Sequence, residues 1–454
     1  MTTCGRWCYR WAMKSLAACV ALAALVLTRP ATADDKRKLP DYDGRGGDPT
    51  TAGDVALWVP RVILAPPYIV SEYLLRRPLG ALITGAERSH LPQILYSIFA
   101  FGPDHKAGIV PTGFVEFGFV ASVGLYGFWD NAFFKGNDLR VHLGTGGADW
   151  QAGSFSDRIR YSKNPYDVIR LDVSASRRPD YAFFGVGPTS TENNISRFGE
   201  DRFEGGLSVD RRLWRLSALH AGVGARSVDF HHGHFFGDPS LEQALAANDF
   251  PTPPGYPRGY TAARSEMSVA MDSRKPRPEP GSGVRVELRG SQSEDIRQKG
   301  EWVTYGGSAG AFFDLDDRQR VLSVSGTARF ADPLGSGEPI PFTELVQLGG
   351  FEPMRGFFPG RLVGRSGAVG EIAYKWPIWI WLDGSMRFEV GNVFDEHLRD
   401  FRAGLLRASY AIGVESSGSP DNALEILFGI GSETFESGAK IDSVRLTVGT
   451  NHGF

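Results

Sequence analysis

"SVRLTVGTNHGF" (Ser443–Phe454) ends the chain, and its side chains alternate without a break. Val444, Leu446, Val448, Thr450, His452 and Phe454 share one face of an extended segment, while Arg445, Thr447, Gly449, Asn451 and Gly453 share the other. Upstream, Leu424, Ile426, Phe428 and Ile430 alternate with Glu425, Leu427, Gly429 and Gly431. Leu406, Ala408, Tyr410, Ile412 and Val414 alternate with Leu405, Arg407, Ser409, Ala411 and Gly413. An apolar face opposite a face of charge and glycine suits a half-wetted sheet, or a barrel with lipid outside and water inside.

The other end of the chain narrows the choice. Arg6, Arg10 and Lys14 precede the apolar run Ser15–Leu27, and "ATA" comes next at Ala31–Ala33. This pattern predicts a secretory signal peptide over residues 1–33, removed after Ala33. The run is too short to span a bilayer as a helix. All three cysteines (Cys4, Cys8 and Cys19) lie in that segment, so the mature chain is expected to hold no disulfide, cysteine–zinc site or cysteine nucleophile. Removing its four cations makes the rest more acidic than the −3 of the whole, which argues against a nucleic-acid partner.

Residues 34–105 differ in pattern from the rest of the mature chain. Prolines punctuate them, and "PPYIVSEYLLRR" and "LPQILYSIF" place apolar residues at helical spacing. A short helical periplasmic segment is expected there. From about Lys106 the period-2 pattern takes over and predicts an all-β domain, 106–454, with about sixteen strands, an even number as bacterial barrels require. If the first strand, Ala107–Glu116, begins on the periplasmic side, the longest gaps (Arg177–Glu200, Val228–Tyr260 and Ala331–Gly367) all fall on the outer side. Inner turns such as "SKNPY" and "RRL" are short. Short inner turns with long outer loops are the asymmetry of a transmembrane antiparallel β-barrel. The alternating C-terminal strand (Val444, Leu446, Val448 and the final Phe454) resembles the signal that outer-membrane assembly machinery recognises in its barrel clients.

Within the longest gap stands "LGGFEPMRGFFPGR" (Leu348–Arg361), followed by "GEIAYKWP" (Gly370–Pro377) and "RFEVGNVF" (Arg387–Phe394). This ordered set resembles the BamA/TamA-type bacterial surface-antigen barrels, and "FFGVGP" (Phe183–Pro188) and "DSRKPRPEPGSG" (Asp272–Gly283) look like further family positions. The resemblance covers roughly Lys106–Phe454. It implies that the sixth outer loop folds into the lumen, where Met354, Arg355, Gly356 and Phe357 meet carboxylates on the next two strands, Glu371 and Glu389. Alternation supports this orientation independently. Met386, Phe388 and Val390 face lipid, which turns Arg387 and Glu389 inward; Ile372, Tyr374 and Trp376 do the same for Glu371, Ala373 and Lys375. Arg387 and Lys375 share those inward faces and could compete with Arg355. Two departures stand out: the family commonly has Asp where Glu389 stands, and residues 34–105 have room for at most one POTRA (polypeptide-transport-associated) module.

Little else reads as chemistry. In "FHHGHFF" (Phe230–Phe236), His232 and His234 lie on one side of an extended segment, yet an ordinary polar loop is the simpler reading. There is no strand-to-helix context for a nucleophile elbow or a phosphate loop. The expectation is a non-enzymatic outer-membrane barrel without cofactor or metal, bathed in outer-membrane lipid. Its resemblance implies assistance in inserting or translocating polypeptide clients, or lipids. The alternative is a narrow pore or structural barrel without that activity.

Overall fold

The structure, a computed structural model, describes residues 99–102, 104–275, 281–315, 319–335, 339–379, 382–416 and 424–450. The expected signal peptide, nearly all of the expected helical segment and the terminal Phe454 lie outside the described residues.

Sixteen antiparallel strands close into one barrel. They are β1 (Ala107–Glu116), β2 (Ser122–Asp130), β3 (Asn137–Gly147), β4 (Trp150–Arg160), β5 (Val168–Phe183), β6 (Ser196–Arg212), β7 (Ala218–His232), β8 (Tyr260–Asp272), β9 (Gly283–Asp295), β10 (Glu301–Asp314), β11 (Val321–Pro333), β12 (Ser366–Trp379), β13 (Leu382–Phe394), β14 (Arg407–Ser416), β15 (Leu424–Ser432) and β16 (Ile441–Thr450). Each pairs with its sequence neighbours, and β16 returns to β1 through Thr447–Glu116, Val448–Val115 and Gly449–Phe114. The amide of Phe117 extends this seam by donating to the carbonyl of Leu446 at 3.0 Å. Ala100–Phe101 adds a short pairing to the start of β1.

The alternation seen in the sequence becomes a two-sided wall. Val123, Leu143, Phe155, Leu207, Val223, Met267, Leu288, Val324, Ile372, Phe388, Phe428 and Val444 are all exposed on the outer surface. So continuous an apolar belt is stable only against lipid tails. Val444, Leu446 and Val448 lie together on that outer face of β16, with Val444 the most exposed. Inward positions carry the charge: Glu116, Asp383, Glu389, Arg407, Glu425 and Arg445 are buried.

β5, β6 and β7 have 16, 17 and 15 residues, well beyond the roughly 9–11 that cross a bilayer. Half of the gap expected at Arg177–Glu200 is therefore strand: β5 runs on to Phe183, with an irregularity between Arg178 and Tyr181, and β6 begins at Ser196. Apolar alternation fails there because this part of the sheet stands above the membrane. Arg178 instead covers the rings of Trp150 and Tyr181.

The loop after β7 holds a helix, α1 (Leu241–Ala247), which strand periodicity does not anticipate. The signal for it is "SLEQ": Ser240 and Gln243 form a reciprocal capping box. Leu241 and Tyr256 of this loop pack with Phe183, Phe198 and Phe342 into an apolar cap over the outer mouth. Burial first, then a hydrogen bond to Glu242, pushes the Tyr256 phenol above its usual pKa, so it remains the donor to that carboxylate at 2.5 Å.

The belt generates a prediction. Leu288, mid-strand in β9 and 65 % exposed, should not tolerate a charge: Leu288→Arg is expected to cost about 2–4 kcal/mol. Equilibrium unfolding by denaturant in lipid vesicles reads this; unchanged stability would mean that Leu288 does not face hydrocarbon.

Candidate functional site: the seat of the sixth outer loop

Residues 334–365 connect β11 to β12. The short pairing of Val346–Leu348 with Leu362–Gly364 gives this loop a stem, and residues 349–361 turn from it into the barrel. Gly349 and Gly350 make the turn with φ of 98° and 64°, and their amides donate back to Pro353 and Phe357 carbonyls at 2.7 and 2.8 Å.

The seat follows from strand register. One luminal row runs across five strands as Glu371, Glu389, Ser409, Gly431 and Ser443, each directly opposite the next. Glu389, fully buried, receives the Met354 amide at 2.8 Å on one carboxylate oxygen and the Arg355 amide at 2.7 Å on the other. Ser409 Oγ donates to Glu389 at 2.9 Å and accepts the Gly356 amide at 2.9 Å. Three successive backbone N–H groups are thus satisfied by two side chains from β13 and β14. Such charge-assisted bonds are short and among the stronger ones in proteins. They also hold Met354 in the left-handed region at φ 71°, a conformation that costs a non-glycine residue about 1–2 kcal/mol.

Beyond Ser409 the row offers space instead of polarity. A Cβ on Gly356 would lie 2.0 Å from the Ile430 carbonyl oxygen, and one on Gly431 would lie 2.5 Å from the Phe357 ring. Two glycines on facing elements therefore let the loop backbone and the Phe357 ring lie flat on β15. Met354 and Phe357 are fully buried against Leu348, Leu362, Val369 and Val393.

The guanidinium of Arg355 reaches neither carboxylate expected for it. Its Nη1 pairs with Glu425 on β15 at 2.5 Å. Glu389 is committed to the backbone, and Glu371 stays outside the clamp, 3.5 Å from Arg387 and accepting from Ser325 at 3.4 Å. Lys375 pairs with Asp383 and Glu415 at 3.1 and 2.8 Å. Alternation places Glu425 on the inward face, but the path of the loop, which decides its partner, is not written in strand periodicity.

Two buried arginines complete the site. Arg361, at the loop base, bonds Ser190 of the third outer loop through Nη1 at 2.8 Å and pairs with Asp442 of β16, which also meets Arg407 of β14 at 3.2 Å. Arg445, from β16, pairs with Glu116 of β1 and donates to the loop carbonyls of Gly350 at 2.7 Å and Arg355 at 3.3 Å. The histidines of "FHHGHFF" diverge: His232 lies 3.3 Å from Glu242 and His234 2.9 Å from Asp149. Among the described residues no three His, Cys, Asp or Glu side chains form a metal-binding group.

The Omp85 superfamily domain matches residues 131–416. Among solved structures, BamA from Haemophilus ducreyi lacking POTRA domains 1–3 superposes with a TM-score of 0.52 at 14 % identity, covering 76 % of this chain and 70 % of that one. CdiB from Acinetobacter baumannii gives a TM-score of 0.46 at 11 % identity, covering 76 % of this chain and 59 % of that one. At 14 % identity the likeness to BamA is one of fold. No curated protein matches the sequence.

Removing the seat should release the loop. Glu389→Ala leaves the buried Met354 and Arg355 amides without acceptors, at about 1–3 kcal/mol each, and Gly356→Ala forces the loop off β15. Both variants should become cleavable within residues 349–361 by added protease while the barrel stays folded. Protection equal to wild type would show that neither contact holds the loop.

Proposed function

Since the chain belongs to the Omp85 superfamily and folds as an outer-membrane barrel, we propose that it assists the insertion or translocation of polypeptides at the outer membrane. Its route is the seam between β1 and β16. The sixth outer loop acts there as an internal brace, with Met354–Phe357 as the tip, Glu389 as its principal seat and Glu425 as the partner of Arg355. We read residues 106–454 as the barrel, residues 1–33 as a removed signal peptide and residues 34–105 as a periplasmic segment.

The observation that carries this reading is that one loop contacts both strands of the seam. It reaches β16 through Arg361–Asp442 and through the carbonyls that Arg445 holds. It reaches β1 through Phe351, whose ring lies 5.9 Å from that of Phe114. A brace that touches the two strands which must part is suited to controlling their separation. Pro111, within β1, adds a position that cannot donate to a ladder. The seated loop and the packed outer cap also argue against a freely conducting pore, since both lie where solute would have to pass.

The test is the folding of an unrelated outer-membrane barrel into liposomes with and without this protein. Acceleration is expected, and it should be lost when Val115→Cys and Val448→Cys, facing positions across the seam, are oxidised to a disulfide. Reduction should restore it. A folded barrel that gives no acceleration would contradict the proposal and favour a structural role.

A further inference from the structure

Arg445 sits where the seam and the loop meet, and it has acceptors on two separate elements. Its Nε donates to the Glu116 carboxylate on β1, and its Nη1 donates to the carbonyls of Gly350 and Arg355 in the loop. The guanidinium lies 5.4 Å from the centre of the Phe351 ring, which itself tilts against Phe114 of β1. Arg445 is 1 % exposed and Glu116 is 4 % exposed. The residues flanking Arg445 on its luminal face, Ser443 and Thr447, carry no charge.

A buried cation needs its acceptors, and a buried ion pair broken on one side leaves an uncompensated charge. The acceptors of Arg445 belong to two separate elements of the fold. Glu116 belongs to β1, whereas the two carbonyls belong to the inserted loop: Arg355 lies in the tip, held by Glu389 and Ser409, and Gly350 lies in the turn whose amide bonds the Phe357 carbonyl of that tip. If the tip leaves its seat, Arg445 loses the Arg355 carbonyl, and the turn that presents the Gly350 carbonyl loses its bond to Phe357. If β1 leaves β16, Arg445 loses the carboxylate. Each change removes part of what orients the guanidinium toward the other contact.

We infer that Arg445 is the positioning residue that makes closure of the β1–β16 seam conditional on a seated sixth loop. Release of the tip from Glu389 is then transmitted to the seam through the guanidinium, and a parted seam in turn loosens the tip. The inference rests on the seam being the route, as proposed for the function, and it assigns the regulation of that route to one side chain.

Spin labels on Val115→Cys and Val448→Cys report the seam directly in a chain whose native cysteines all precede Ala33. The labels are read by electron-spin distance measurement in lipid vesicles. With the native loop a single short distance is expected. Glu389→Gln, far from the seam, should add a second, longer population. In an Arg445→Gln background the longer population should already be present, and Glu389→Gln should add nothing to it. If Arg445→Gln fails to form a barrel, Arg445→Gln with Glu116→Gln removes both charges together and serves as the background. Heat-dependent gel mobility verifies the fold in each case.

An unchanged distance in Glu389→Gln would overturn the inference. So would an equal effect of Glu389→Gln with and without Arg445. The readout uses no client, so a barrel that failed to accelerate folding could still show the coupling. Conversely, an active barrel without the coupling would leave the function standing and the role of Arg445 refuted.

Discussion

The Glu389 carboxylate, buried in the lumen and shared between the amides of Met354 and Arg355, fixes where the sixth outer loop can be. The neighbouring contacts depend on that position. The Gly356 amide falls on Ser409, Phe357 lies over Gly431, and Arg355 is carried past Glu389 to Glu425. Because a carboxylate bonds backbone amides regardless of side chain, the seat specifies a backbone conformation, including the left-handed Met354, more than a residue type. The side chains then settle the rest: Phe357 needs a glycine floor, and Arg355 needs an acid beyond the strand that seats its amide.

A barrel of this size has no apolar centre to organise it. Its apolar atoms face outward, and the interior is a lattice of charges. Arg361, Arg407 and Arg445 are all but fully buried, each with a carboxylate partner. Buried pairs of this kind contribute little net stability, but they penalise wrong arrangements heavily because a lone buried charge costs several kcal/mol. In this molecule they bind strands β14 and β16 to the loops above them and bind β16 to β1. Apolar packing returns beneath the sixth loop, where Met354 and Phe357 are buried against Val369 and Val393, and in the aromatic cap, where β5, β6 and β7 rise to meet α1 and the stem of the sixth loop.

Strand periodicity makes the wall of the barrel legible. Val444 against Arg445, and Phe388 against Glu389, are sorted to the correct faces by alternation alone, because lipid and lumen demand opposite side chains at every second residue. That rule stops where the lipid stops. The upper parts of β5 and β6, with Arg177, Arg178 and Asp180 in sequence, look like loop because both of their faces are covered by protein, Phe183 and Phe198 in the aromatic cap, so no lipid face imposes alternation. Helix α1 is short, so its apolar spacing is weak, and only its cap is readable. The loop seat is half legible. The motif and the inward Glu389 mark it, whereas the roles of Glu425, Ser409 and Arg445 depend on a register that sequence does not record and on a chain path that no periodicity describes.

The decisive question is whether the loop tip is bonded to β13 and β14 in the folded barrel. Amide hydrogen exchange of Met354, Arg355 and Gly356, followed by mass spectrometry of the protein in lipid vesicles, tests this directly. If Glu389 and Ser409 hold these three amides, they should exchange as slowly as the amides of β13 and β14. Exchange at the rate of an open, solvated loop would contradict the seat and everything derived from it.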